Sequence, residues 1–174
     1  LGRARLCVTG AAPLATDVIE FFASLDIVLR EIYGQSEDCG PTSFNLAGKT
    51  KIGSVGPPLP GLECKIADDG EILVRGPNVF LGYYKEPELT KAAFTGDGWL
   101  KTGDKGALDA EGNLKITGRV KDLFKTSKGK YVAPAPIEDR LVIHAAVEAC
   151  VVTGANFGQP LGIVMLNAAA VEQV

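Results

Sequence analysis

Ile27-Val28-Leu29-Arg30-Glu31-Ile32-Tyr33-Gly34-Gln35-Ser36-Glu37 is an apolar, β-branched run that stops on an aromatic ring, a glycine, a hydroxyl and a carboxylate. Ile27 to Ile32 reads as a strand. Just upstream, Arg5 to Thr9 is a short strand-like run. Pro13 then opens a helix that carries Thr16, Asp17 and Glu20 in its first turns and Val18, Ile19, Phe22 and Leu25 at helical spacing. Strand, helix and strand make a β-α-β unit, in which ligands collect beyond the carboxyl ends of the strands. Both Gly10-Ala11-Ala12-Pro13 and Tyr33 to Glu37 begin where those strands end.

The second of these segments suits a nucleotide. A ring can stack on adenine, a glycine lets backbone approach, a hydroxyl can touch phosphate and a carboxylate can hold Mg²⁺. Ordinary turn chemistry produces the same residues, so the segment alone leaves both readings open.

From about Gly53 the texture changes to short strands, at Leu62 to Ala67, Glu71 to Arg75, Gly106 to Leu108 and Leu114 to Thr117. Asp68-Asp69-Gly70 and Asp109-Ala110-Glu111-Gly112-Asn113 are hairpin connections by composition, so this part is a small antiparallel sheet or barrel. Glu86 to Phe94, opened by Pro87, is a short helix on its edge. Further on, Leu123 to Thr126 and Lys130 to Val132 form a hairpin, Pro136 to Ile143 a helix, and Ala149 to Thr153 and Gly162 to Leu166 two strands. The elements read as α/β: a β-α-β unit, then a small antiparallel β subdomain, then the opening of a small α+β arrangement.

At 174 residues with 46% apolar composition the chain can bury a core. Its 18 Lys and Arg stand against 21 Asp and Glu, which leaves no basic footprint for nucleic acid and no polybasic membrane patch. Small molecules are the expected partners. Cys7, Cys39, Cys64 and Cys150 are widely spaced and form no C-x-x-C pair, so they read as structural thiols of a reducing compartment. No apolar stretch reaches the length needed to cross a bilayer, and the start is too short and polar for a secretory signal. A cytoplasmic protein is expected, with peripheral contact at a membrane surface left open. The chain begins without Met and ends in an apolar segment, Val171-Glu172-Gln173-Val174, and so reads as a cut piece. Apolar surface exposed by such a cut would favour a homodimer or a pairing of fragments.

Three further segments give the first its context. Thr102-Gly103-Asp104 follows Trp99-Leu100, Gly118-Arg119-Val120-Lys121-Asp122 follows a hairpin, and Lys125 leads into Ser127-Lys128-Gly129-Lys130-Tyr131-Val132-Ala133-Pro134. In this order, from about Gly10 to Asn167, they resemble the adenylate-forming superfamily of acyl-CoA synthetases, luciferases and peptide-synthetase adenylation domains. Gly70-Glu71-Ile72-Leu73-Val74-Arg75-Gly76, Gly82-Tyr83-Tyr84 and Ala133-Pro134-Ala135-Pro136-Ile137-Glu138 look most like the long-chain fatty acyl-CoA synthetases.

The resemblance implies roles. Gly10, Ala11, Ala12 and Tyr33 would enclose adenine, with Gly34 beside them, and Ser36 stands where the family usually has threonine, keeping the hydroxyl donor to phosphate. Glu37 would bind Mg²⁺, with Asp38 a solvated neighbour. Asp104 would accept from both ribose hydroxyls, and Arg119 would touch ribose and phosphate. Lys121 would be the hinge about which the small domain swings, which makes residues 1–120 the end of a large α/β domain with its β-α-β unit and small antiparallel β subdomain, and residues 121–174 the start of a small α+β C-terminal domain. Lys125 and Gly129 would face the reacting carbonyl and the pantetheine thiol, and Lys128 departs from the second glycine of many relatives. Read without the resemblance, Gly10 to Pro13 is a strand-to-helix turn beside a core tyrosine, Asp104 a turn aspartate and Arg119 a surface ion pair. His144 is expected to cap or pack a helix end.

The activity implied is ATP-dependent conversion of a fatty carboxylate to acyl-adenylate and its transfer to CoA. The Gly/Ser/Thr-rich phosphate loop and the Lys-Thr-x-x-Gly-Lys segment of relatives do not occur in these 174 residues, so the chain by itself is not expected to form adenylate efficiently. Two other readings stay open: a relative that loads another carboxylic acid or a carrier protein, and a non-catalytic nucleotide-binding module.

Overall fold

The computed structural model describes residues 3–172. The chain divides into two compact units, Leu1–Ile116 and Thr117–Val174. In the first, β1 (Cys7–Thr9) runs parallel to β2 (Leu29–Gln35), and α1 (Thr16–Ser24) connects them, which is the expected β-α-β unit. Ile19 is the position at which α1 buries its apolar stripe, 2% exposed.

Several boundaries differ from the sequence reading, each for a physical reason. The helix starts at Thr16 rather than at Pro13, because Ala11 takes a left-handed backbone (φ 65°) and Gly10 to Ala15 form a loop. The strand expected to end at Ile32 continues through Tyr33, Gly34 and Gln35. It continues because it pairs antiparallel with β3 (Gly40–Phe44), a strand the composition did not announce. Only Gly34 fits that pairing, since a Cβ there would lie 1.8 Å from the Gly40 carbonyl oxygen.

A second sheet has the order β4 (Glu63–Ile66), β5 (Glu71–Arg75), β6 (Leu100–Leu108) and β7 (Leu114–Arg119), with β4–β5 and β5–β6 antiparallel. The Asp69 carboxylate accepts the Glu71 N–H and Gly70 takes φ 87°, so the expected hairpin turn is made by the residues that composition nominated. Strand β6 begins at Leu100, six residues before the expected Gly106. Gly103 (φ 75°) puts an irregularity into the ladder opposite Glu71 to Leu73, and the Glu71 carboxylate accepts the Gly103 N–H at 2.9 Å. Thr102-Gly103-Asp104 therefore lies inside a strand, not in a turn. The core centres on Ile72, Val74 and Leu114, all 0% exposed, with Tyr33, Val55, Cys64, Ile66, Val79 and Ile116 packed on them. Helix α2 (Pro87–Ala93) has Pro at its first position, as expected.

In the second unit β8 (Phe124–Lys125) and β9 (Tyr131–Val132) form a hairpin, followed by α3 (Ala135–Val142) and the antiparallel pair β10 (Val147–Thr153) and β11 (Leu161–Leu166), then α4 (Ala168–Val171). Glu138 ties α3 to β10 by accepting the Val152 N–H at 2.6 Å. His144 sits just past α3, where its Nδ1 accepts from the Ala146 N–H. Among the described residues no helix is long and apolar enough to cross a membrane.

Candidate functional site

In the first unit the chain brings together residues far apart in sequence. β2 delivers Tyr33, whose ring packs on the sheet core and whose hydroxyl donates to Asp104 Oδ2 on β6 at 2.8 Å, across 71 positions. Thr102 fixes that stretch of β6, its hydroxyl donating to the Ile72 carbonyl at 2.8 Å and accepting the Asp104 N–H. Burial, together with the neighbouring Asp104 carboxylate, pushes the Tyr33 phenol far above its ordinary range, so it stays a neutral donor. The aromatic residue and the aspartate singled out in separate motifs are thus one hydrogen-bonded pair.

Beyond Gln35 the chain makes a single 3₁₀ turn, Ser36–Asp38, ended by Cys39 in a left-handed conformation (φ 55°). Ser36 is exposed and Glu37 half-buried, and Glu37 Oε1 accepts from the Tyr83 hydroxyl at 2.8 Å. That bond raises the Tyr83 phenol pKa above its ordinary value. Asp38 is not the solvated neighbour expected: it is 0% exposed. Its Oδ1 accepts the Gln35 N–H at 2.9 Å, its Oδ2 accepts from the Thr42 hydroxyl, and its carbonyl accepts from Asn78 Nδ2 at 2.6 Å. The reason is geometric. The turn folds the carboxylate back over its own first N–H, where β3 supplies the second donor. Asp38 is therefore the internal brace of the segment that presents Ser36 and Glu37.

Gly10, Ala11 and Ala12 form the exposed loop after β1. A Cβ on Gly10 would meet Ile32 Cγ2 at 2.4 Å, so this glycine is required by the close approach of the loop to β2. Left-handed Ala11 and Cys39 are strained non-glycine residues, one inside the first candidate nucleotide segment and one just past the second.

The second unit carries Arg119 at the end of β7, Lys121 in the following turn, Lys125 on β8 and Gly129 in the β8–β9 loop, all exposed. Gly129 takes φ 79° and its N–H donates to the Thr126 carbonyl, while Lys128 is not among the residues with left-handed backbone. The loop thus accommodates lysine where a second glycine stands in many relatives.

Among the described residues no group of three or more His, Cys, Asp or Glu could hold a metal ion. A lone hard oxygen donor such as Glu37 suits Mg²⁺, which usually keeps waters and takes substrate phosphate oxygens as its other ligands. Sequence reasoning missed Asp38, Asn78 and Tyr83 as parts of the site. Gly82-Tyr83-Tyr84 had been singled out only for its likeness to a subgroup, and no local spacing shows that Tyr83 meets a residue 46 positions away.

A family model described as AMP-binding enzyme matches residues 1–84. The long-chain-fatty-acid–CoA ligase FadD15 of Mycobacterium bovis is 46% identical over 153 residues, 88% of this chain and 25% of that protein. Long-chain-fatty-acid–CoA ligase 6 of Homo sapiens is 45% identical over 150 residues, 79% of this chain and 22% of the relative. The chain thus spans about a quarter of the length of the curated relatives it matches. Among solved structures, o-succinylbenzoate CoA synthetase (MenE) from Bacillus subtilis, in complex with its acyl-adenylate intermediate, superposes with a TM-score of 0.85 at 34% identity, over 94% of this chain and 36% of that one. ATP-bound MatB from Rhodopseudomonas palustris superposes at 0.84 with 35% identity, over 95% and 36%. With its aromatic–aspartate pair and its braced Ser-Glu turn in place, the chain is similar, across both units, to the AMP-binding, adenylate-forming enzymes.

Proposed function

We propose that the complete gene product is an AMP-forming long-chain fatty acid–CoA ligase and that residues 1–120 and 121–174 supply parts of its large and small domains. The observation that carries the reading is the Tyr33–Asp104 hydrogen bond, which joins a stacking face to a ribose-binding carboxylate. The names of the relatives support long-chain fatty acid and CoA as substrates.

In the first half-reaction a fatty carboxylate oxygen attacks the α-phosphorus of ATP, forming the acyl-phosphate bond and expelling pyrophosphate. Gly10, Ala11, Ala12, Tyr33 and Gly34 border the adenine, Asp104 and Arg119 hold the ribose, and the Ser36 hydroxyl donates to phosphate. Glu37 would hold Mg²⁺, which would supply charge stabilisation at the phosphoryl oxygens. In the second half-reaction the CoA thiolate attacks the acyl carbon and AMP leaves, with the thiol proton passing to solvent. Lys125 and Gly129 face that carbonyl after the small domain turns about Lys121, whose backbone absorbs the change in dihedral angles.

The test is ATP-dependent acyl-CoA formation by the complete gene product, with palmitate and a short-chain acid side by side, repeated with Glu37→Gln. Palmitoyl-CoA should form in preference, and the variant should lose roughly 100-fold or more in rate, the scale expected when charge stabilisation in the transition state is removed. Absence of product from either acid would overturn the reading in favour of carrier loading or nucleotide binding without chemistry.

A further inference from the structure

The segment after β5 clamps the 3₁₀ turn from outside. Asn78 Nδ2 donates to the Asp38 carbonyl at 2.6 Å, the Phe80 N–H donates to the Glu37 carbonyl at 2.8 Å, and the Tyr83 hydroxyl donates to Glu37 Oε1 at 2.8 Å. Two of these contacts hold backbone, and the third reaches the carboxylate itself.

Tyr83 is in turn fixed by its surroundings. Its ring meets Phe80 edge-on, with centroids 4.9 Å apart, and Phe80 stacks on Phe94 at 5.9 Å. Its N–H donates to Thr90 Oγ1 on α2, and that hydroxyl donates to the Glu86 carbonyl. Gly82 (φ 144°) makes this approach feasible, because a Cβ there would lie 2.5 Å from Thr90 Cγ2. Helix α2 therefore sets the height of the tyrosine over the 3₁₀ turn.

A glutamate carboxylate turns freely about its last bond, whereas Mg²⁺ tolerates little departure from octahedral geometry. A donor held on one oxygen fixes the plane of the group and so decides where the other oxygen faces. We propose that Tyr83 is a positioning residue, whose hydroxyl holds the Glu37 carboxylate in the orientation that receives the divalent cation carried by the nucleotide. This rests on the reading of Glu37 as the metal ligand. The hydroxyl acts only through Glu37 and takes no part in either half-reaction.

The experiment is Mn²⁺ titration of the complete gene product saturated with a non-hydrolysable ATP analogue, with free Mn²⁺ followed by electron paramagnetic resonance. Tyr83→Phe keeps the ring that packs on Phe80 and removes only the donor. It should weaken Mn²⁺ binding roughly five- to tenfold, the net worth of one ordinary hydrogen bond at a partly exposed site. Binding of the analogue without metal should stay unchanged. On a Glu37→Gln background the same substitution should add nothing, because its effect runs through the carboxylate. If Glu37→Gln weakens Mn²⁺ binding and Tyr83→Phe does not, the positioning role fails and the metal reading stands. If Glu37→Gln binds Mn²⁺ like the wild type, the metal reading fails and takes the proposal with it. If Tyr83→Phe weakens metal-free analogue binding as much as Mn²⁺ binding, the tyrosine only holds the loop in shape, and the proposal is again overturned.

Discussion

In the first unit Tyr33 reaches across 71 positions to Asp104 and Glu37 across 46 to Tyr83, whereas in the second unit the loop that carries Gly129 closes on itself. There the Gly129 N–H donates to the Thr126 carbonyl and the Thr126 N–H to the Lys130 carbonyl, all within five residues. The first unit buries Ile72, Val74 and Leu114 completely beneath its sheet, while every residue of β11 in the second is exposed. Motif residues in the first unit are thus held by the tertiary core. Those in the second are held by backbone bonds, some within Thr126 to Lys130 and others reaching about 30 positions on, where the Ser127 N–H donates to the Phe157 carbonyl and the Asn156 N–H to the Lys125 carbonyl. The difference teaches where a small change will be tolerated: an exposed loop held by backbone bonds has room to adjust, but a strand tied to two others has none.

The largest effect should come from Gly34→Ala. The new Cβ would sit 1.8 Å from the Gly40 carbonyl oxygen and 2.9 Å from Pro41 Cα, both backbone atoms, so relief requires β2 and β3 to part. We expect a loss of about 4 kcal/mol in local stability, at the upper end for overpacking. Hydrogen exchange of the Gly40 and Thr42 to Phe44 amides would report it, and under the proposed function ATP binding by the complete gene product should be lost with it. Unchanged protection would mean that the two strands are held less firmly than the contrast between the units requires.

That glycine also shows what the sequence could reveal. The β-α-β unit, the Asp69-Gly70 hairpin and the short helices were legible because each is written in local residues: β-branched runs, turn formers and a proline at a helix start. The extension of β2 was not, because it depends on pairing with Gly40–Phe44, whose Gly-Pro-Thr-Ser composition carries little strand propensity. Asp38 looked like a surface acid for the same reason, since nothing near it in sequence announces Thr42 and Asn78 as its partners. Family motifs named Tyr33, Glu37 and Asp104 separately, and only the fold joined Tyr33 to Asp104 and brought Tyr83 to Glu37.

A smaller effect concerns pH. Glu31 lies on β2 with Oε2 buried and without a hydrogen-bond partner among the described residues. Burial raises its pKa above the ordinary 4.5, against a smaller downward pull from a backbone hydrogen bond at Gly53. A carboxyl whose folded pKa is raised binds its proton more tightly in the folded state. Its stabilising contribution is complete below the unfolded value and is lost as pH rises through the folded one. First-unit stability should therefore carry a component that falls as pH rises above about 4.5. Glu31→Gln should remove that component, and denaturant midpoints at a series of pH values would show it as a flatter profile. An identical slope in wild type and variant would show that Glu31 is solvated in solution and that the first unit's core does not extend to it.

Gly129→Ala should produce the smallest change, and it completes the contrast with Gly34. At Gly129 an added Cβ meets only the end of the Lys125 side chain, at 3.9 Å, so there is room for it. What remains is the left-handed backbone at φ 79°, which costs an L-residue about 1 kcal/mol. Asn tolerates that conformation better, so Gly129→Asn should cost less than Gly129→Ala even though its side chain is larger. The order of the two variants separates backbone strain from crowding, because crowding would make asparagine the worse. Exchange rates at the Gly129 and Lys130 amides would rank them. Because the loop's backbone bonds run to Thr126, Lys130, Asn156 and Phe157, all in the second unit, protection of the first unit's Gly40–Phe44 amides should be the same in both variants as in the wild type.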